Sequence, residues 1–406
     1  MRRWTLAALA GAALAGCAAH RGGLPVESPY RDLSTLEKGQ IVHLATGREL
    51  TREELLDYLA AYPVVYVGET HDNVEDHRVE LAILRGLHER FPGRVVLGLE
   101  MLRRPFQPGV DAFLRGEVDE KTFVRDTWAR SWGPTSWPYY RDILLYCREN
   151  GIPVLALNAG DDLKRAVRDR GLEALPPELA DRLPDMDVDD PYQRAFLEGI
   201  FGGHAKGAGR LDAFLRVQVL WEETMADTAA RFLRSAEGRG KRLLVFAGGN
   251  HVRYGFGVPR RLFRRVPLPY VIVSPYTVEI PEDRLDRLMD VEIPELPMRP
   301  ADIYWAVGYE DLEDDRVMLG VGIERAETGG ARVTGVIPDS PAARAGLREG
   351  DVIVAVDGRP VVELFDLTFQ VGQHKPGDAG TVEVLREGKR LVLDVVYDVV
   401  RHGEKP

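Results

Sequence analysis

The chain has 406 residues, 45% of them hydrophobic, with 53 Lys and Arg against 64 Asp and Glu and a formal net charge of −11. That length and apolar content suffice for one large and one small domain with separate cores, and exclude a disordered chain. The acidic balance, with no basic stripe to override it, excludes nucleic acid as the main partner.

In chain order, Arg2 and Arg3 precede a short apolar run that ends in Leu14-Ala15-Gly16-Cys17. The run is too short and too rich in small residues to span a membrane, so residues 1–17 read as a cleaved signal segment. The final box resembles the bacterial lipoprotein processing site. That resemblance implies that Cys17 becomes the lipidated first residue, that residues 18–38 form a tether, and that the body hangs from a membrane of the cell envelope, periplasmic or surface-facing. Ala18 is not the Asp that resembles an inner-membrane retention signal, which points to the outer membrane. With Cys17 lipidated, Cys147 is left without a disulfide partner and reads as an inert core thiol.

Five short apolar runs follow: Pro63 to Val67, Arg94 to Leu99, Pro153 to Leu157, Arg242 to Ala247 and Tyr270 to Val273. They are continuous rather than alternating, which predicts an α/β fold with a mostly parallel sheet covered by helices on both faces. Between them, Val74 to Arg90 predicts a helix with Val79, Ala82, Ile83 and Leu87 on one face and Asn73 as its N-cap. Leu211 to Ala236 predicts a long helix, and the irregular Pro176 to Arg210 reads as part of a helical insertion over one edge of the sheet. These elements place an α/β domain at residues 39–280.

The acidic, proline-rich stretch after Pro281 is read as a linker, residues 281–305. A small β-rich domain is expected from 306 to 400. Its Leu319-Gly320-Val321-Gly322 turn, Pro338-Asp339-Ser340-Pro341-Ala342 helix entry and Gly350-Asp351-Val352-Ile353 resemble a PDZ domain. The resemblance implies that Leu319, Gly320, Val321 and Gly322 present backbone N–H groups to the carboxyl end of a peptide or partner protein. Ile323 stands where the family often has Phe, which leaves the side-chain preference open.

The chemistry concentrates at strand ends. Val64-Val65-Tyr66-Val67 runs into Gly68-Glu69-Thr70-His71, a second strand runs into Gly248-Gly249-Asn250-His251, and a third ends in Glu100. The carboxyl edge of an open parallel sheet is where ligands bind, so Glu69, His71, Glu100 and His251 are expected on one rim. Two imidazoles and two carboxylates suit a divalent metal, with His77 a further candidate ligand, or a general-base site that activates water. A lone strand-end His is more often a hydrogen-bonded rim residue, and only the pair shifts that balance. Asp72, Asp76 and Glu80 recur at four-residue spacing and read as ordinary acidic residues near a helix N-terminus, where its dipole favours them.

From Leu36 to Pro281 the pattern resembles the haem-binding ChaN family of the Tiki superfamily. Gly68-Glu69-Thr70-His71-Asp72-Asn73 with His77, Gly98-Leu99-Glu100-Met101, Gly151-Ile152-Pro153-Val154 with Asn158, and Gly248-Gly249-Asn250-His251-Val252 carry it. The resemblance implies haem as ligand and a role in iron uptake. Other Tiki members imply a metal-dependent hydrolase instead, a peptidase or esterase using the two Gly-x-x-His motifs, and the PDZ domain would then recruit its substrate. Haem needs apolar walls and an axial ligand. His204, Tyr192, Met225 and Lys206 are the candidates for ligand, and Trp132, Trp137, Tyr139 and Tyr140 for the wall, although aromatic residues at that density are more often core; a homodimer is left open.

Overall fold

The computed structural model describes residues 33–202, 211–287, 294, 296, 298–312, 317–327 and 329–400. Cys17, the signal segment, most of the tether, His204 and Lys206 lie outside these residues. Among the described residues no helix is long and apolar enough to cross a membrane.

An eight-stranded sheet carries the larger domain. Its strands are β1 (Ile41–His43), β2 (Arg48–Leu50), β3 (Val64–Glu69), β4 (Val95–Arg103), β5 (Val154–Asn158), β6 (Arg242–Gly248), β7 (Tyr270–Glu279) and β8 (Ile303–Gly308). They lie in the order β2-β1-β8-β7-β3-β6-β4-β5. From β8 to β5 every neighbouring pair is parallel, whereas β1 runs antiparallel to β8 and β2. Alternation within each strand explains the continuous apolar runs, because both faces are buried. Val65 and Val67 join the core under the Val74–Arg90 and Trp137–Glu149 helices, while Val64 and Tyr66 join the opposite core under Leu211–Arg234 and Val258–Arg265. Cys147 is fully buried in the first core, and burial pushes its thiol pKa up, out of the reactive range.

The Val74–Arg90 helix has the expected bounds, and the Asn73 side chain caps it by accepting from the Glu75 N–H at 3.2 Å. The insertion folds into short helices, Pro177–Ala180 and Pro191–Gly202, the second packed on Leu211–Arg234.

Two of the boundaries drawn on the sequence, those at the tether and before the small domain, fall inside packed chain. Leu36, placed in the tether, is buried in the core. The boundary between linker and small domain crosses β8, which pairs with β7 and β1 and is buried along its length. The run Ile303-Tyr304-Trp305-Ala306-Val307 is as apolar as the other central strands, but its nearness to the PDZ pattern hid it.

The smaller domain has antiparallel strands Val321–Arg325, Ala331–Val336, Val352–Val356, Ala379–Arg386 and Lys389–Val396 in that spatial order, with helices Pro341–Ala345 and Leu364–Val371. Phe365 and Phe369 of the second helix pack on the first core of the larger domain, Lys121 pairs with Asp366, and Arg125 with Glu363 at 3.2 Å. Residues 309–312 cross the sheet rim. The Tyr309 hydroxyl donates to Asp72 at 2.9 Å, the Val74 N–H donates to the Glu310 carbonyl at 2.7 Å, and the Glu310 N–H donates to the Asn73 side chain at 3.0 Å.

Candidate functional site

Parallel register brings the strand ends together. Glu69 on β3 lies opposite Gly248 on β6, and Leu99 on β4 lies opposite Phe246. Glu69, at the end of β3, and Glu100, just past the last pairing of β4 with β6 though β4 itself runs on to Arg103, therefore reach the rim on either side of β6. The His71 Nδ1 contacts Glu69 Oε1 at 2.7 Å. On its other side the ring rests on Gly248, where an added Cβ would stand 2.9 Å from His71 Nε2. The Gly248 N–H donates to Glu100 Oε2 at 2.7 Å, and Glu100 Oε1 lies 3.3 Å from His251 Nε2. Glu69, His71, Glu100 and His251 thus form one continuous rim.

Within that rim the His71 side chain is 38% exposed, whereas Glu69, Glu100 and His251 are buried. Trp132 stands edge-on to the His71 ring, 5.0 Å between centroids. Burial raises the Glu69 carboxyl pKa, but His77 and His71 overcome this and hold it below the usual range. Glu100 follows the same pattern, with His251 outweighing burial. Burial lowers the His251 imidazole, but Glu100 and Glu222 reverse this and lift it to about 10. The rim is built to keep carboxylates ionised behind one accessible imidazole, an arrangement suited to binding a cation or polarising water.

Several site residues escaped the sequence. Tyr140 donates to Glu69 Oε1 at 2.7 Å from a fully buried position. Glu222, on the long helix, faces His251 Nδ1 at 3.2 Å, and Arg261 backs Glu222 at 3.6 Å. Neither Tyr140 nor Glu222 belongs to a spacing that singles it out, and only the packing of remote helices places them there. The sequence presents Asp76 and Glu80 as ordinary acids of the first turns, yet both are buried. Asp76 accepts from the Thr70 N–H and the Asn73 side chain, 2.7 Å each, and so fixes the turn that presents His71. Glu80 lies 2.8 Å from His77 Nδ1. Among the described residues, the tight group of metal-ligating atoms is Glu69, His77 and Glu80, all within 4.8 Å of one another, rather than the rim four.

The haem candidates fare differently. Met225 is completely buried in the core between the long helix and the sheet, which removes it as an axial ligand. Packing explains the error: its helix turns that face to the sheet, so the thioether fills a gap. Tyr192 is 50% exposed at the start of the Pro191–Gly202 helix, its ring stacked on Phe256 at 6.3 Å. Phe196, Leu197, Ile200 and Leu215 continue this apolar cluster. Beside it, a cavity of about 210 Å³ is lined by Leu197, Leu215 and Val219, by Arg194 and Arg216, and by Asp189, Asp190 and Asp212.

In the PDZ domain, Gly320 has φ +78°, and a Cβ there would fall 2.3 Å from that of Ser340, so the turn requires glycine. Leu319 is anchored in the core, its carbonyl accepting from the Ala342 N–H at 2.8 Å. Val321 and Gly322 begin the strand at one end of the sheet order, beside an open edge.

A family model described as haem-binding uptake, Tiki superfamily, ChaN matches residues 55–262, and a PDZ model matches residues 317–396. A solved structure described as cofacial haem binding to ChaN of Campylobacter jejuni superposes with a TM-score of 0.50 at 16% identity, covering 65% of this chain and 95% of that one. At that identity it shows the fold. Protein RETICULATA-RELATED 5, chloroplastic, of Arabidopsis thaliana is 23% identical over 245 residues, 55% of this chain and 32% of that relative. A probable periplasmic serine endoprotease DegP-like of Pseudomonas fulva is 47% identical over 66 residues, 16% of this chain and 14% of that relative. The chain therefore spans a third or less of the length of these two curated relatives.

Proposed function

We propose, from the premise that this chain belongs to the ChaN family of haem-binding uptake proteins in the Tiki superfamily, that it holds haem at the bacterial cell envelope in the service of iron uptake. Its PDZ domain would grip the carboxyl ends of peptides or partner proteins, and a lipid on Cys17 would hold it at the membrane. The observation that carries the haem reading is the half-exposed Tyr192 phenol stacked on Phe256, which in turn meets Phe196, beside a cavity lined by two arginines and three aspartates. Haem needs an apolar wall and an axial ligand, which Phe256 and the Tyr192 phenol oxygen would supply; Arg216, whose Nε is buried without a partner, would face its carboxylates, while Arg194 is already paired with Glu198 and Asp212. Haem, when bound, supplies the iron. The protein supplies the wall and the ligand.

The test is a haemin titration of the full chain, followed by the Soret band. Saturable binding at micromolar affinity or tighter, about −8 kcal/mol, is expected, weakened about tenfold in Tyr192→Phe. An absence of any saturable Soret shift refutes the reading. For the anchor, Cys17→Ser should move the protein from the membrane to the soluble fraction, and unchanged partitioning refutes lipidation.

A second reading, a metal-dependent hydrolase, is favoured by the rim itself, with one exposed imidazole in front of buried carboxylates. Ester and peptide substrates incubated with Mn(II) or Zn(II) would be cleaved by the native chain and not by His71→Gln. Equal rates for the two chains rule this reading out.

A further inference from the structure

Behind the rim, the His77 ring is fixed at both nitrogens. Its Nε2 lies 3.2 Å from the His71 carbonyl oxygen, which can only accept, so Nε2 carries a hydrogen. In the neutral ring the lone pair is then on Nδ1. That nitrogen faces Glu80 Oε2 at 2.8 Å and Glu69 Oε2 at 3.0 Å. A lone pair pointed at two carboxylates is unfavourable unless something positive lies among them. A proton on Nδ1 serves one carboxylate and leaves the other short.

The unmet demand is visible in the carboxylates. Glu69 Oε2 and Glu80 Oε1 are buried without a hydrogen-bond partner, and Glu80 is wholly shielded from water. Buried carboxylates are ordinarily paired, hydrogen-bonded or bound to a metal. Tyr140 takes up the other Glu69 oxygen at 2.7 Å, which orients the carboxylate and keeps Oε2 directed at His77. The His71 carbonyl does the same for the imidazole. Ligands held from behind in this way are typical of metal sites.

We propose that Glu69, His77 and Glu80 form an inner cation site that takes one divalent first-row transition ion through one imidazole nitrogen and two carboxylate oxygens. Bonds of about 2 Å from a shared centre hold ligand atoms at most about 4 Å apart; His77 Nδ1 already lies 3.0 and 2.8 Å from the two carboxylates, and the three atoms, within 4.8 Å of one another, reach that range once the carboxylates close up. One nitrogen and two oxygens select Zn(II), Mn(II) or Fe(II) over Ca(II) and over ions that favour thiolates. The site differs from the rim in using neither Glu100 nor His251. It rests on neither the haem reading nor the hydrolase reading.

The test uses the full chain purified in detergent, stripped with a chelator, loaded separately with Zn(II), Mn(II) or Co(II), and passed through gel filtration. Bound metal per chain is counted by mass spectrometry. About one equivalent is expected for the native chain and for Asp57→Asn, an exposed control away from both clusters, with affinity falling about tenfold or more in Glu80→Gln. Far-UV circular dichroism checks that each variant is folded. Should Glu80→Gln fail to fold, His77→Asn and the Co(II) visible spectrum of the native chain take its place, the ligand-field bands being expected in the native chain and lost in the variant. A stripped native chain that retains no ion overturns the proposal. So does equal retention by Glu80→Gln, or loss in His251→Ala alone, which would move the ion to the rim.

Discussion

A chain that stops at residue 300, after the apparent linker has begun, should not fold. It loses β8, whose Ile303 and Val307 are buried in one core and whose Tyr304 is buried in the other. Full burial of an aliphatic side chain contributes about 1.5–3 kcal/mol, so Ile303 and Val307 alone account for about 3–6 kcal/mol. Tyr304 and Trp305 add to this, and Asp302 is lost as the acceptor of the Ile272 N–H at 2.8 Å. Net stabilities are about 5–15 kcal/mol, so the loss is of the same size as the whole. Deletion also leaves β7 and β1 with unpaired edges. The assay compares chains 33–300 and 33–312 by urea unfolding and limited proteolysis. Cooperative unfolding is expected only for the longer one. Equal midpoints would show that β8 is dispensable and that the burial argument is wrong.

Three further perturbations test the site's framework. Gly68→Ala places a Cβ 2.5 Å from Val252 Cγ2 and 3.2 Å from the Gly249 backbone, and this overpacking should cost about 1–3 kcal/mol in urea unfolding; an unchanged midpoint refutes the close packing of β3 on the second Gly-x-x-His turn. Arg261→Leu strips the buried guanidinium that lies 3.6 Å from Glu222 and 3.2 Å from Glu223, and should destabilise by about 3–5 kcal/mol, whereas a loss below about 1 kcal/mol would show these carboxylates balanced by other groups. His251 titrates near 10 in the folded chain against about 6.5 unfolded, so its stabilisation is complete below pH about 6.5 and is lost as pH rises towards 10. With chelator present, the fall in unfolding midpoint between pH 7 and 10 should be smaller in His251→Gln than in the native chain, and parallel profiles would refute the coupling to Glu100 and Glu222.

Five of the six parallel strands and the helix capped by Asn73 are legible because apolar runs, turn glycines and capping residues are local signals. The rim was legible for a related reason. Parallel strands deliver their carboxyl ends to one edge, so strand-end residues could be grouped before their register was known. Glu80, Tyr140 and Glu222 were not. Each lies within a helix where its type is unremarkable, and its part in the site comes from tertiary packing across many residues. Met225 shows the converse: a residue type that suits haem carries no information about which way its helix faces. β8 was hidden by its neighbourhood, an apolar strand lying between an acidic stretch and a separate domain.

Residues 309–312 also set how force travels through the molecule. The chain leaving the PDZ side is fastened to Asp72, Asn73 and Val74 by a hydroxyl and two backbone N–H groups, at the turn between β3 and the helix that bears His77. A second fastening joins the Leu364–Val371 helix to Lys121 and Arg125, in the segment leading to Trp132 and Tyr140. A partner that pulls on the PDZ domain therefore loads the two sides of the histidine site together. The tension is shared between the turn that carries one wall of the site and the segment that carries the other.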